Sequence, residues 1–239
     1  MKPIAIFQHT AVGAPGSVIP ILESLGRHCQ VIRIVDGAAV PERADDFSGL
    51  VFMGGYMGVH DALPWIAPEL ELIRQADTHG IPVAGHCLGS QLLALALGGR
   101  VEPNHRREIG WQQITVDAGD EAQEWWGQAG GTSLLTFQWH GDTFELPPGA
   151  VRIASSPHCT NQAFVMRGLH LGMQSHLEMT PALVELSLQK NGAQLEREHQ
   201  QGNPAVTSME ETRRDVAGRT ERMRATLTRL YRRWVQGCS

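Results

Sequence analysis

The chain has 239 residues, 42% of them hydrophobic, enough to bury a substantial core in one large domain or in one domain with an appendage. A formal net charge of −5 argues against a general nucleic-acid binder. No run approaches the roughly 18 apolar residues of a membrane span, and the N-terminus enters a strand-like run with no basic-then-apolar leader, so no membrane association and a cytoplasmic protein are expected.

Residues 4–8 and 31–35 read as strands around a helix over 18–27; residues 50–53 read as a further strand and 67–78 as a further helix. Apolar runs such as Ile4-Ala5-Ile6-Phe7 and Leu50-Val51-Phe52 suit parallel strands covered on both faces by helices. Ile81-Pro82-Val83-Ala84 leads into Gly85-His86-Cys87-Leu88-Gly89, after which Gln91-Leu92-Leu93-Ala94-Leu95-Ala96-Leu97 reads as a helix. Beyond Gly110 the pattern becomes successive strands without intervening helices, over 113–116, 134–139, 151–155, 162–166 and 169–174. The fold class expected is therefore α/β: a doubly wound, mostly parallel sheet with helices on both faces, joined to a small antiparallel section.

Gly202-Asn203-Pro204 marks a break. Residues 206–239 then hold eight arginines, no lysine and four acids, a local charge of +4 against −9 for the remainder. Val216, Met223, Leu227, Leu230, Tyr231 and Trp234 fall at helical spacing, so the chain divides into a domain over 1–200 and an amphipathic C-terminal helix over 206–239. The apolar stripe is expected to pack on the domain with the arginines solvated; a homodimer contact, a partner-docking helix, a membrane surface and RNA are the alternatives.

Chemistry concentrates at Cys87. Small residues two before and two after it, between a strand and a helix, are the pattern of a nucleophile elbow, a sharp turn in which strand and helix pack closely. At a helix N-terminus, free backbone N–H groups and the positive dipole end favour anionic sulfur. A lone cysteine is otherwise most often a small buried hydrophobe. Cys29, Cys87, Cys159 and Cys238 have no C-x-x-C spacing and no metal pattern with histidine, which suits a reducing compartment and implies neither metal nor cofactor. Among eleven histidines, His176 stands apart because it closes a strand-like stretch and is followed two residues later by Glu178. Residues i and i+2 of an extended segment point the same way, so Glu178 can hold the His176 ring in one tautomer. The loop Gly54-Gly55-Tyr56-Met57-Gly58 follows a strand and lets backbone approach a ligand. The N–H groups of Gly55 and Leu88 would form a two-donor oxyanion hole.

Met53-Gly54-Gly55, Gly85-His86-Cys87-Leu88-Gly89-Ser90-Gln91, Arg107-Glu108-Ile109-Gly110-Trp111, Trp139-His140-Gly141-Asp142 with Leu146-Pro147-Pro148-Gly149, and Gly172-Met173-Gln174-Ser175-His176-Leu177-Glu178 occur in this order over roughly the first 190 residues. Together they resemble a class I, triad-type glutamine amidotransferase domain in stand-alone form, similar to the amidotransferase part of GMP synthases. The resemblance implies that Cys87 attacks the side-chain amide of glutamine, that His176 carries the proton to departing ammonia, and that Glu178 orients His176. It also implies that Gln91 and the backbone of Trp139, His140 and Gly141 hold the amino-acid end of the glutamyl group, with the His140 side chain packing the loop.

The chain departs from the family in two places. Ser175 and Leu177 stand where Gln-Phe-His-Pro-Glu has an aromatic residue and a proline, and Tyr56 replaces the proline that usually follows the glycine pair. Ser175 is expected to leave room for a larger leaving amine, and Tyr56 to reshape the pocket. No phosphate-binding Gly-Lys-Ser loop is present, so released ammonia passes to a separate synthetase or the chain is a free-standing hydrolase. The expected activity is γ-glutamyl amide hydrolysis, on glutamine first and on γ-glutamyl peptides or amines second. A non-catalytic partner-binding module is the alternative from another class.

Overall fold

The computed structural model describes residues 2–238. Its strands are β1 (Ile4–Gln8), β2 (Cys29–Arg33), β3 (Gly49–Phe52), β4 (Val83–His86), β5 (Arg100–Val116), β6 (Ser133–Glu145), β7 (Ala150–Ser155), β8 (Ala163–Met166) and β9 (His170–Met173). The helices are α1 (Val18–Ser24), α2 (Ile66–Thr78), α3 (Leu88–Ala96), α4 (Asp120–Trp126), α5 (Pro181–Gln200), α6 (Met209–Arg213) and α7 (Val216–Trp234). All the strands join one nine-stranded sheet in the order β2-β1-β3-β4-β9-β8-β7-β5-β6. The five from β2 to β9 run parallel, and β8, β7, β5 and β6 continue the sheet in antiparallel pairing.

The apolar strand runs are explained by the two-residue period of a strand. Ile4 and Ile6 of β1 and Val51 of β3 enter a core completed by α1, α4, α5 and α7. Ala5, Phe7, Leu50 and Phe52 enter the opposite core, completed by α2 and α3. Helices therefore cover both faces, the doubly wound α/β arrangement expected.

Two helices lie where the strand pattern gives no sign of them. The stretch read as strands alone contains α4, which opens on Asp120 and Glu121 and closes at Gly127 in the left-handed region. Acids at the start and glycine after the end are ordinary helix boundary signals. Beyond the last strand comes α5, capped by the Thr180 side chain and carrying Pro181 in its first turn. β5 is also far longer than its expected segment, beginning at Arg100 and pairing with β6 across an irregularity between Pro103 and Glu108.

α7 buries Met223, Leu227, Leu230, Tyr231 and Trp234 on one stripe. Its opposite face carries ion pairs, including Arg222 with Asp215 and Arg233 with Glu124. Exposed pairs of this kind contribute little to stability, so the apolar stripe dominates the attachment of the helix. Among the described residues no helix is long and apolar enough to cross a membrane.

Candidate active site

Cys87 is the N-cap of α3, with φ 48° and ψ −109°. A side chain at positive φ costs of order 1–3 kcal/mol and persists only where its surroundings enforce it. Here the Cys87 N–H donates to Met173 O at 2.7 Å, and the Cys87 carbonyl accepts from Ser90 Oγ at 2.7 Å and from the Ser90 and Gln91 N–H groups. The flanking glycines are required by close approach: a Cβ at Gly85 would lie 2.4 Å from the Gly89 backbone, and one at Gly89 would lie 2.0 Å from Phe52 O. The elbow read from the sequence is therefore formed, with Leu88 as the first residue of α3. An N–H at that position has no intrahelical acceptor.

His176 reaches the elbow from the far side of β9. Its N–H donates to Phe137 O at 2.8 Å in a short antiparallel bridge to β6. His176 Nδ1 and Glu178 Oε1 are 2.7 Å apart, the i, i+2 pairing expected. Cys87 and His176 line the same cavity and interact electrostatically, so sulfur, imidazole and carboxylate lie in succession. Gly54 is wedged against the ring: a Cβ there would stand 2.8 Å from His176 Cε1 and 3.6 Å from Cys87 Cβ.

The electrostatics favour a charged couple. Burial opposes the imidazolium, but Glu178 and Cys87 outweigh burial and raise His176 well above the usual histidine range. Burial likewise opposes the Glu178 carboxylate, but its interactions with His86 and His176 hold it well below the usual carboxylate range. Burial pushes the Cys29 and Cys159 thiols up to about 11 and the Cys238 thiol up to about 12.

The family model for class-I glutamine amidotransferases matches residues 16–194. The chain belongs to the class-I glutamine amidotransferase family. It is 31% identical over 210 residues to the glutamine amidotransferase-like protein YfeJ of Salmonella typhimurium, covering 86% of this chain and 87% of that one. It is 32% identical over 156 residues to the glutamine-hydrolysing GMP synthase of Bordetella avium; the match takes in 61% of this chain but 28% of the synthase. A crystal structure of a glutamine amidotransferase from Methylobacillus flagellatus superposes with a TM-score of 0.95 at 38% identity, over 100% of this chain and 96% of the other.

The elbow opens into a cavity of about 270 Å³ whose wall includes Cys87, His176, Gly54, Gly55 and Gln91. Trp139, His140 and Gly141 line it too, so the structure brings these predicted site residues together. Leu88 stands apart, its side chain buried in the core on the α3 side. Gln91 Nε2 donates to Asp142 O at 3.4 Å and to Gln174 Oε1 at 3.3 Å, while Gln174 Nε2 lies 3.6 Å from Cys87 Sγ. Tyr56 lines the mouth and is 80% exposed. Ser175, in the bend that follows β9, is buried and does not line the cavity, so it does not open the space expected of it.

Sequence reasoning missed two parts of this wall. Ser187, Asn191 and Gln194 come from α5 at the i, i+4, i+7 spacing of one helix face, and Gln194 accepts a hydrogen bond from Trp139 Nε1 at 2.8 Å. Arg107 also lines the cavity. The His140 ring is committed inward, with Nε2 at 2.9 Å from Glu108 Oε2 and Nδ1 at 2.9 Å from Asp142 O. Glu108, His140 and Cys159 bring their donor atoms within 4.8 Å of one another. Each is already engaged by a protein partner: Glu108 by Gln162 and Ser156 as well as His140, and Cys159 by Thr143.

Proposed function

We propose that the protein hydrolyses the γ-glutamyl amide bond of glutamine through a glutamyl thioester on Cys87. The observation that carries this reading is the placement of Cys87 and His176 on the wall of one cavity, with Glu178 Oε1 2.7 Å from His176 Nδ1 behind it. The sulfur of Cys87, as thiolate, adds to the γ-carbonyl carbon. The resulting oxyanion takes hydrogen bonds from the N–H groups of Gly55 and Leu88. As the tetrahedral adduct collapses, the C–N bond breaks and His176, protonated on Nε2, gives its proton to the leaving nitrogen, releasing ammonia. Water then adds to the thioester carbonyl, losing its proton to His176. Collapse expels the thiolate and frees glutamate, and the imidazolium is restored.

Glu178 stabilises the imidazolium throughout and fixes its tautomer. Gln91 and the backbone of Trp139, His140 and Gly141 hold the amino-acid end of the substrate. In this reading residues 1–200 are the catalytic domain of a cytoplasmic protein, and the tail expected as a single helix is instead two, α6 and α7, built onto it. Ammonia is passed to a separate synthetase, as the match to only part of a GMP synthase suggests. A γ-glutamyl peptide or amine is the second reading for the substrate. It is favoured by the α5 wall, whose Asn191 and Gln194 offer amides to a leaving group larger than ammonia.

The test is release of ammonia or amine by the purified protein from glutamine and from a panel of γ-glutamyl compounds. Cys87→Ala is expected to lose activity by roughly 10⁴-fold or more. Parent-like turnover by that variant would exclude the thioester route.

A further inference from the structure

Glu178 is engaged on both oxygens. Oε1 meets His176, Oε2 meets His86 Nδ1 at 2.9 Å, and His86 Nε2 meets the Tyr231 hydroxyl at 2.9 Å. His86, Glu178 and Tyr231 are all at most 1% exposed. His86 directly precedes Cys87, yet the two side chains part: Cys87 lines the cavity while His86 enters the core beneath α7.

The protons in this chain are assigned by its chemistry. A carboxylate only accepts, so His86 Nδ1 carries a hydrogen directed at Glu178. Burial, followed by the nearby Glu178 charge, keeps the Tyr231 hydroxyl protonated, and the Cys29 and Cys238 thiols that flank it are raised by their own burial and stay neutral. His86 Nε2 is the hydrogen-bond partner of that hydroxyl. It must therefore act as the acceptor, since a proton on Nε2 would leave a buried O–H unsatisfied. His86 thereby donates from Nδ1 to Glu178 and accepts at Nε2 from Tyr231.

We propose that His86 and Tyr231 are positioning residues for the cysteine chemistry: Tyr231, carried on α7, fixes the His86 tautomer, His86 fixes the second oxygen of Glu178, and Glu178 holds His176 against Cys87. This rests on the roles given above to Cys87, His176 and Glu178. Packing alone does not account for the hydroxyl, because phenylalanine would fill nearly the same volume beside Trp234, whose ring meets that of Tyr231 edge-on at 5.4 Å.

The experiment compares Tyr231→Phe, His86→Leu and His86→Asn with the parent. The rate of Cys87 alkylation by iodoacetamide is followed from pH 6 to pH 10, with the other cysteines quantified separately, and kcat and KM are measured on the best γ-glutamyl substrate. Tyr231→Phe removes one hydrogen bond and is expected to slow alkylation at pH 6.5 roughly three- to tenfold. Its rate should converge with the parent's at pH 10, well above the ordinary thiol value near 8.5, and kcat should fall by the same factor at unchanged KM. His86→Leu is expected to lose on the order of a hundredfold, because a buried carboxylate oxygen is left without its donor. Asparagine, which keeps an N–H near the Nδ1 position, is expected to recover most of that loss. Parent-like alkylation by Tyr231→Phe and His86→Leu at all pH values would overturn the proposal, as would an equal loss at pH 6.5 and pH 10, which marks a distorted site. Should the parent cleave no γ-glutamyl amide, the substrate reading fails by itself, and the alkylation profiles still decide for or against the relay.

Discussion

Gly54→Ala tests the geometry of the site with a single methyl group. The new Cβ would lie 2.8 Å from His176 Cε1, short of ordinary contact near 3.4 Å by about 0.6 Å. The backbone cannot easily retreat, because Gly13 is packed so tightly on the Gly54 carbonyl that a Cβ on Gly13 would come within 2.1 Å of it. The ring has to move instead, against its 2.7 Å bond to Glu178 and its backbone bond to Phe137. A misplacement of about 1 Å in a catalytic group costs on the order of a hundredfold, so about 0.6 Å corresponds to roughly ten- to thirtyfold, or about 1.4–2 kcal/mol of barrier. Steady-state ammonia release should show this loss mainly in kcat, with KM moving less and the thermal midpoint falling by only a few degrees. A Gly54→Ala protein with kcat within twofold of the parent would refute the placement of His176 against the glycine loop.

His176, raised when folded, contributes stability that is fully present below the ordinary histidine value near 6.5 and is lost as pH rises through the higher folded value. The thermal midpoint of the parent should therefore exceed that of His176→Asn by a constant margin below about pH 6 and lose that margin progressively in alkaline buffer; a margin that grew with pH would reverse the assigned charge. Trp234, buried at 1% exposure in the α7 stripe, should lose about 3–5 kcal/mol on replacement by alanine, measured by urea unfolding. A loss below about 1 kcal/mol would show that α7 is not packed as described. Gly89→Ala brings a methyl group within 2.0 Å of Phe52 O and should give little soluble protein or a similarly large destabilisation. A variant that folded and melted like the parent would rule out the close strand–helix packing of the elbow.

The parts of the fold legible in the sequence are those whose pattern has one physical interpretation. Ile4–Gln8 forms as expected because an unbroken apolar run is satisfied only between two layers of helices. Gly85, Cys87 and Gly89 were legible because no ordinary turn needs that arrangement at a strand–helix junction. By contrast, α5 buries only Leu183, Val184, Ser187, Leu188, Gly192 and Leu195 along 20 residues, and the polar face it turns to the cavity weakens the apolar period. Thr180 and Pro181 at its start were the available signal. α4 hides for a different reason: its 7 residues are too few to establish a period, leaving Asp120 and Glu121 at its start and Gly127 after its end to mark it.

His86 was the least legible member of the site, because an i, i+1 neighbour of a nucleophile in an extended segment is expected to point away from the chemistry. It does point away, and that is how it acts. Glu178, two residues past His176, lies between the pocket and the core beneath α7, so its two oxygens serve one histidine on each side. A carboxylate placed there needs a donor from the core as well as one from the pocket, or its second oxygen is buried without a partner. The residue before the nucleophile is the nearest position on β4 able to supply it. The short distance in sequence between His86 and Cys87 thus couples the packing of the C-terminal helix to the sulfur, and a change in α7 that spares every cavity residue should still be felt in the reactivity of Cys87.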